Sequence, residues 1–430
     1  MNPVPPPAGV ALAQVLDVAA RIVARVAAGK SLSAEMERAA DEGTAAPRPA
    51  LIDVTHGTLR RYGRSQAIVH ALARQSRTDP LVEALLWCAL YLLDSGRHAQ
   101  YTVVDQTVRA CGLLEKWASK GFVNALLRRF LRERKLIDAR LQDDLVARYQ
   151  HPLWWIKLLR DAYPDEWVQV LEAGNLHPPM CLRVNRRRAD PEVMRDRLAA
   201  AGFSAARIGS MGLLLEAPVP VERLPGFAEG ELSVQDASAQ YTVDCLDLQA
   251  GQRVLDACAA PGGKTAHILE TADVALTALD IDAERCVRIE RNLERLGLVA
   301  RVHKADCQEL SPWWDGLSFD RVLADVPCSS SGVVRRHPDI KWIRRPEDVA
   351  AFATKQTRIL EGLWRVLARD GKLLYVTCSV FPQENDAVIE AFLSRAADAQ
   401  RLTLPDGIRA QCLPDAWHDG FFFALLQKRG

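Results

Sequence analysis

From residue 253 to 377 the chain repeats one rhythm: a short apolar run, a turn, then an amphipathic stretch of helix length. Residues 253–257, 275–280, 300–306, 319–325 and 372–377 have the length and apolar content of strands. Residues 264–271, 283–296 and 348–367 carry helical periodicity. This alternation predicts a largely parallel sheet with helices on both faces. Ligands of such sheets bind beyond the carboxyl ends of the strands, so those ends are where chemistry is to be sought.

The rest of the chain reads differently. The first 145 or so residues are helical in pattern: 81–94 is apolar all round, as a central buried helix would be, and 121–130 is amphipathic with paired arginines at its end. Residues 41–49 form a Gly/Pro/Ala-rich loop. Gln150-His151-Pro152 and His177-Pro178-Pro179 mark breaks, and between them and Val234 lie short strand-like runs, 181–185 among them, and one helix at 191–201. The expected architecture is an all-α domain (1–145), a small α+β segment (146–235) and an α/β, Rossmann-like domain with a mostly parallel sheet (236–430). A chain of 430 residues accommodates this number of parts.

Apolar runs are interrupted by Arg, Asp or Gly before any reaches the 18–20 residues a membrane helix needs. Met1-Asn2-Pro3-Val4-Pro5-Pro6-Pro7 lacks the basic start and apolar run of a secretory signal, which predicts a cytoplasmic protein without a membrane partner. Ten cysteines in so long a chain, with no C-x-x-C pair, predict reduced thiols and no metal. The net charge of +1 means that a nucleic-acid partner has to be argued from local clusters.

Asp256-Ala257-Cys258-Ala259-Ala260-Pro261-Gly262-Gly263-Lys264-Thr265 joins the first strand to its helix. Paired glycines let backbone approach a ligand, and a helix N-terminus offers unpaired amides. Cys258 stands where a phosphate-binding P-loop requires its first Gly, which argues against a nucleoside triphosphatase. About twenty residues on, Asp280 is placed to accept hydrogen bonds from ribose hydroxyls. Asp306 closes the third strand, where a carboxylate can meet an adenine amino group, and Asp325 closes the fourth. Three acids at successive strand ends outline an adenosine pocket.

Two thiols face the same crevice. Cys328 follows the fourth strand in Asp325-Val326-Pro327-Cys328-Ser329-Ser330-Ser331-Gly332, and Cys378 follows the last in Val376-Thr377-Cys378-Ser379. Carbon 5 of cytosine is a poor nucleophile. Thiolate addition at carbon 6 makes carbon 5 enamine-like and able to take a methyl group, and loss of the carbon-5 proton then expels the thiol. Cysteine suits that covalent route. Asp325 is the candidate hydrogen-bond partner for the ring nitrogen and amino edge. Spacing alone leaves open which thiol attacks.

At these motifs the chain resembles the Fmu/RsmB family of ribosomal RNA 5-methylcytosine methyltransferases, within the Sun/Nop2-like group. DACAAPGGKT, DVPCSSSGVVRRHPDIKW and YVTCS match its signature runs, and the likeness covers nearly the whole chain. KGFVNALLRRF resembles its NusB-like helical RNA-binding domain, while LRVN and DGFFFALL resemble its flanking segments. The resemblance implies that Cys378 is the nucleophile and that Cys328 assists product release. It implies that Cys258, Ala259, Ala260, Pro261, Gly262, Gly263 and Lys264, with Asp280, Asp306 and Asp325, bind S-adenosylmethionine. It implies a single cytosine of 16S ribosomal RNA as substrate; a monomer is the expected state, although the sequence does not identify it. Leu425 departs from the Lys that many relatives carry after the DGFFxA run.

Arg335-Arg336-His337-Pro338-Asp339-Ile340-Lys341-Trp342-Ile343-Arg344-Arg345 is the strongest basic stretch, and its cations and Trp342 are expected to hold phosphates and stack on an extruded base. Arg128, Arg129, Arg132 and Arg134 offer a weaker patch, as a charged helix face would. Methylating carbon 5 requires an unstacked base, which favours a cytosine in a loop or junction. Three rivals stay open at this level. A DNA cytosine methyltransferase attacks from the Pro-Cys motif and would make the second thiol superfluous. A transfer RNA methyltransferase shares all of the chemistry. A non-catalytic ribosome-assembly factor would bind RNA without a cofactor.

Overall fold

The computed structural model describes residues 12–44, 46–73 and 78–430; the readings of the Met1–Pro7 start and of Ala45 in the 41–49 loop lie outside them. The chain divides into two compact units. One comprises Met1–Leu176 together with Val334–Arg345, the other His177–Val333 with Pro346–Gly430.

The first unit is all-α among the described residues. Its centre is the helix Pro80–Ser95, which buries Val82 and every residue from Ala84 to Leu93. Asp79 caps its start by accepting from Leu81 N at 2.9 Å, Pro80 sits where a missing N–H costs nothing, and Gly96 ends it in the left-handed conformation at φ +66°. Each fully buried Leu of this helix contributes about 1.5–3 kcal/mol by leaving water. The helices Leu12–Ala27, Arg48–Arg60 and Gln100–Leu113 pack around it. The amphipathic segment expected over 121–130 is part of a longer helix, Lys120–Arg140. On it Arg129 pairs with Glu133 (3.0 Å), Arg134 with Asp94 (2.6 Å), and Arg128 Nε donates to Asn124 Oδ1.

The second unit contains two sheets. The small one has strands β1 (Met180–Val184), β2 (Ala205–Ile208), β3 (Gly212–Leu215) and β4 (Leu232–Val234), in the order β2-β3-β1-β4 and antiparallel throughout, with the helix Pro191–Ala200 beside it. The large one is built from β5 (Arg253–Asp256), β6 (Ala275–Asp280), β7 (Arg301–Lys304), β8 (Phe319–Asp325), β9 (Leu367–Thr377), β10 (Ala399–Leu402), β11 (Gln411–Cys412) and β12 (Phe421–Lys428). Its order is β10-β12-β9-β8-β5-β6-β7, with β11 paired to β12. Strands β5 to β9 run parallel, and β12 lies antiparallel to β9. The α/β class and the mostly parallel sheet are as expected from the alternation. The chain leaves β5 toward β6 and β7, then returns to the other side through β8 and β9. The order therefore reverses between β5 and β8, and a crevice opens at their carboxyl ends.

A buried ion pair ties the two sheets together. Arg183 on β1 forks onto Glu270 (2.7 and 2.8 Å), reaches Gln235 Oε1 at 2.6 Å, and donates to the carbonyl of Gly263 at 2.9 Å. Glu270 belongs to the helix Gly263–Thr271 that begins at the Gly-rich turn, so the LRVN segment helps to fix that turn.

Candidate active site

β5 ends at Asp256, and the turn that follows is laced to its neighbours: Ala257 N donates to Leu323 O on β8, and Ala259 N to Leu279 O on β6. Gly262 then takes φ +93°, and a Cβ there would meet Ile289 Cα at 3.1 Å, so both backbone and neighbour demand glycine. Asp256 is fully buried. Thr265 Oγ1 donates to its Oδ2 at 2.7 Å while Oδ1 has no partner, and burial pushes its carboxyl up to about 7.

Beyond the strand ends lies a half-open cavity of about 210 Å³. Asp280 closes β6 on its wall, where it accepts from Ala260 N (3.2 Å) and Asp282 N (3.1 Å). Asp306 lies two residues past the end of β7, its Oδ1 accepting from Gln308 N at 2.9 Å. Asp325 ends β8 and is gripped by Lys264 Nζ at 2.6 Å. Burial pulls the Lys264 ammonium down, but Asp325 outweighs it and leaves the pKa above its ordinary value.

Cys328 and Cys378 share this cavity, their sulfurs 3.4 Å apart. The register explains the meeting: Asp325 on β8 lies beside Val376 on β9, so the loops that follow emerge side by side. Cys378 is held below the ordinary thiol pKa first by the hydrogen bond from Cys328, with Ser330 and Lys264 assisting against burial and Asp325. Cys328 is correspondingly pushed up, by that same bond and by burial. The pair is therefore unequal, with Cys378 the more readily ionised of the two thiols.

The two loops are riveted together by Glu384, which is fully buried. Its carboxylate accepts from Ser329 N (2.7 Å) and Ser379 Oγ (2.6 Å). Ser379 also meets Ser331 Oγ at 3.0 Å, and Gly332 N donates to Cys378 O at 2.9 Å. Gly332 in turn packs on Gly420 so closely that a Cβ would fall 2.2 Å from the Gly420 carbonyl oxygen.

Of the residues singled out from the sequence, Cys258, Ala260, Asp280, Asp306, Asp325, Cys328 and Cys378 line the one cavity. Ala259, Pro261, Gly262, Gly263 and Lys264 do not line it; they shape the turn or, for Lys264, hold Asp325. Sequence reasoning missed Cys307, which lines the cavity with Cys258, and it missed Gln308, Lys355 and Glu384. The cluster of serines after Cys328 and Cys378 was the available signal for Glu384, since so many hydroxyls and amides require a buried acceptor. Leu425 is buried on β12 opposite Leu374, where an apolar side chain suits the core.

The basic stretch after Gly332 departs from expectation. Arg335 and Lys341 are buried within the helical unit. There Arg60 donates to the Arg335 carbonyl, Asp339 accepts from Leu32 N at 2.9 Å, and the Trp342 indole donates to Leu59 O at 2.8 Å beside Tyr62. These side chains serve packing, which removes Trp342 as a platform for an extruded base. Among the described residues no group of three His, Cys, Asp or Glu is arranged to hold a metal, and no helix is long and apolar enough to cross a membrane.

Comparison with known proteins adds to this geometry. The 16S rRNA methyltransferase RsmB/F family model matches residues 243–427, an RsmF/B-like ferredoxin-like domain matches 151–222, and the NusB family matches 14–132. The chain is 42% identical over 429 residues to ribosomal RNA small subunit methyltransferase B of Pseudomonas syringae pv. tomato, covering 95% of this chain and 96% of that one. With the Vibrio cholerae protein of the same name it shares 40% over 410 residues, covering 93% and 94%. Among solved structures, PH0851 superposes with a TM-score of 0.80 at 22% identity over 97% of this chain and 99% of that one, a likeness of fold. A methyltransferase homologue from Pyrococcus horikoshii gives 0.59 at 28% identity, over 66% of this chain and 98% of its own.

Proposed function

Because the chain belongs to the RsmB/F family of 16S rRNA methyltransferases, we propose that it moves a methyl group from S-adenosylmethionine to carbon 5 of a cytosine in 16S ribosomal RNA through a covalent adduct with Cys378. The observation that carries this reading is the pair of unequal thiols, 3.4 Å apart, beside Asp325 in the crevice of the sheet.

The wall of the crevice suits the methyl donor. Asp280 and Asp306 offer carboxylate acceptors for ribose hydroxyls and an adenine amino group, and Ile281 and Ile359 offer apolar surface for the rings. When bound, S-adenosylmethionine supplies an electrophilic methyl group on a sulfonium. The protein's own groups do the rest. Cys378, already biased toward the thiolate, adds to carbon 6 of the cytosine, and the displaced electron pair enriches carbon 5. Asp325, oriented by Lys264, accepts from the amino edge of the base. Forming the sulfur–carbon bond removes the negative charge of Cys378, which lowers the cost of ionising Cys328 at the step when the carbon-5 proton must leave. Cys328, having released its own proton to water, takes the carbon-5 proton; the electron pair of that carbon–hydrogen bond re-forms the double bond between carbons 5 and 6, and Cys378 leaves as a thiolate.

Transfer of labelled methyl groups to 16S RNA fragments tests the assignment. The variant Cys378→Ala should lose transfer entirely, whereas Cys328→Ala should accumulate a covalent protein–RNA adduct that survives denaturing electrophoresis. Sustained turnover by Cys378→Ala would sink the role given to that sulfur. Parallel assays with transfer RNA and DNA, and bisulfite mapping of ribosomal RNA from cells with and without the gene, locate the substrate.

A further inference from the structure

A second cavity, of about 680 Å³, lies wholly within the helical unit and has no part in the chemistry above. Its charged lining is Arg60, Arg61, Arg64 and Arg148 against Asp138 and Asp143. Arg64 is bound to Asp138 and, at 3.4 Å, to Asp94, which also lies 3.8 Å from Arg61; Arg60 and Arg148 have no carboxylate within ion-pair distance among the described residues. Arg61 and Arg148 are exposed at the rim, and Arg60 stands at the back, only 9% exposed.

Arg60 is the anomaly. Among the described residues it donates one hydrogen bond, to the Arg335 carbonyl at 3.0 Å; its Nε is buried without a partner, and no carboxylate lies within ion-pair distance. The acid that it senses, Asp53, is already taken by Arg97 (2.5 Å) and the Tyr91 hydroxyl (2.8 Å). Close enough to repel it stands Lys341, fully buried, whose side chain donates to Asn175 Oδ1 at 2.7 Å; Asn175 itself lines the cavity. Buried cations are costly unless countered, and a buried donor without an acceptor points to a missing partner. An anion in the cavity, which Arg60 lines, would supply the countercharge that this guanidinium lacks and offset its repulsion of Lys341. Guanidinium forks favour the tetrahedral oxygens of phosphate, and the exposed rim admits a phosphate that is part of a polymer.

We propose that this arginine-lined cavity seats a backbone phosphate of the RNA, so that the helical unit grips its substrate at one defined point. The inference rests on the reading of RNA as the substrate given above.

Two measurements test it on the full-length protein. The first is the melting temperature in inorganic phosphate against chloride at matched ionic strength. Phosphate should raise that of the wild type, and Arg60→Met should abolish the gain while melting no lower than wild type in chloride. An Arg60→Met protein that melts lower in chloride and still responds to phosphate would mean that Arg60 serves only packing, and would overturn the proposal. The second is binding of a 16S RNA fragment as salt is varied. The pair Arg61→Ala/Arg148→Ala should bind about five- to tenfold more weakly at 100 mM salt, with the slope of log affinity against log salt reduced by about one, and with methyl-donor binding intact. Unaltered RNA affinity and slope overturn it, even where phosphate stabilises the protein, since the cavity would then hold a free anion only. Failure of the proposed reaction shows separately, as absence of methyl transfer by the wild type.

Discussion

Asp256 shows how one residue carries a measurable signature. Its carboxyl, pushed up to about 7 by burial, stays protonated in the folded protein under conditions where the unfolded chain has released the proton, near pH 4. Its contribution to stability is therefore fully present below about pH 4 and is lost as the pH rises toward 7. Asp256→Asn keeps the oxygen that accepts from Thr265 and removes the titration. Between pH 4.5 and 7.5 the melting temperature of the wild type should fall relative to that of the variant, by several degrees. Parallel profiles would show that the carboxylate is tolerated there. The acids and thiols of the crevice were legible because each follows an apolar run that is plainly a strand. Glu384 was not, because Pro-Gln-Glu-Asn reads as a surface turn until the hydroxyls of two distant loops are seen to converge on it. Nor was the partner of Lys264, which lies 61 residues further along.

Elements were readable where periodicity had room to declare itself. The segments 275–280, 283–296 and 319–325 fall on the observed strands and helix residue for residue. β9 begins five residues before the expected 372, because Leu367–Gly371 holds charged residues that a pattern search treats as turn. β10 and β11 have four and two residues, too few for alternation to register, and β12 opens on three consecutive phenylalanines. That run makes sense only in place: Phe422 faces one core cluster while Phe421 and Phe423 face the other. Pairing between elements is less legible still. Nothing in LRVN announces that Arg183 meets Glu270, 87 residues later. Because that pair is fully buried, removing one partner strands a charge, and Arg183→Ala should cost about 3–5 kcal/mol in a denaturation experiment. The double change Arg183→Met/Glu270→Leu should recover most of the loss; additive losses would mean that the two side chains act independently.

At the scale of the whole molecule, the alternation of strands and helices announced the α/β part, and the all-round apolar helix 81–94 announced the centre of the helical part. Hidden from both readings was the membership of Val334–Arg345, which sits in the chain beside Cys328 yet completes the helical unit. A basic run with a tryptophan reads as a nucleic-acid contact because charge is visible in a sequence and burial is not. Its packing predicts that Trp342→Ala destabilises the helical unit by about 2–3 kcal/mol, less than a fully buried Trp because the ring keeps some exposure to water. Hydrogen exchange should quicken across helices Arg48–Arg60 and Pro80–Ser95 while methyl-donor affinity holds. Unchanged protection there would place the indole outside that core.

The interleaved route of the chain also decides what cannot be taken apart. Cleaving after Leu176 to obtain a minimal catalytic fragment would leave Ile340, Lys341 and Trp342 without the helices that house them, bared to water a dozen residues from Cys328. Such a cut separates residues 334–345 from the rest of their own compact unit. An insertion, deletion or circular permutation that ignores this route would strip residues 334–345 from their own core while leaving every reacting group in the sequence.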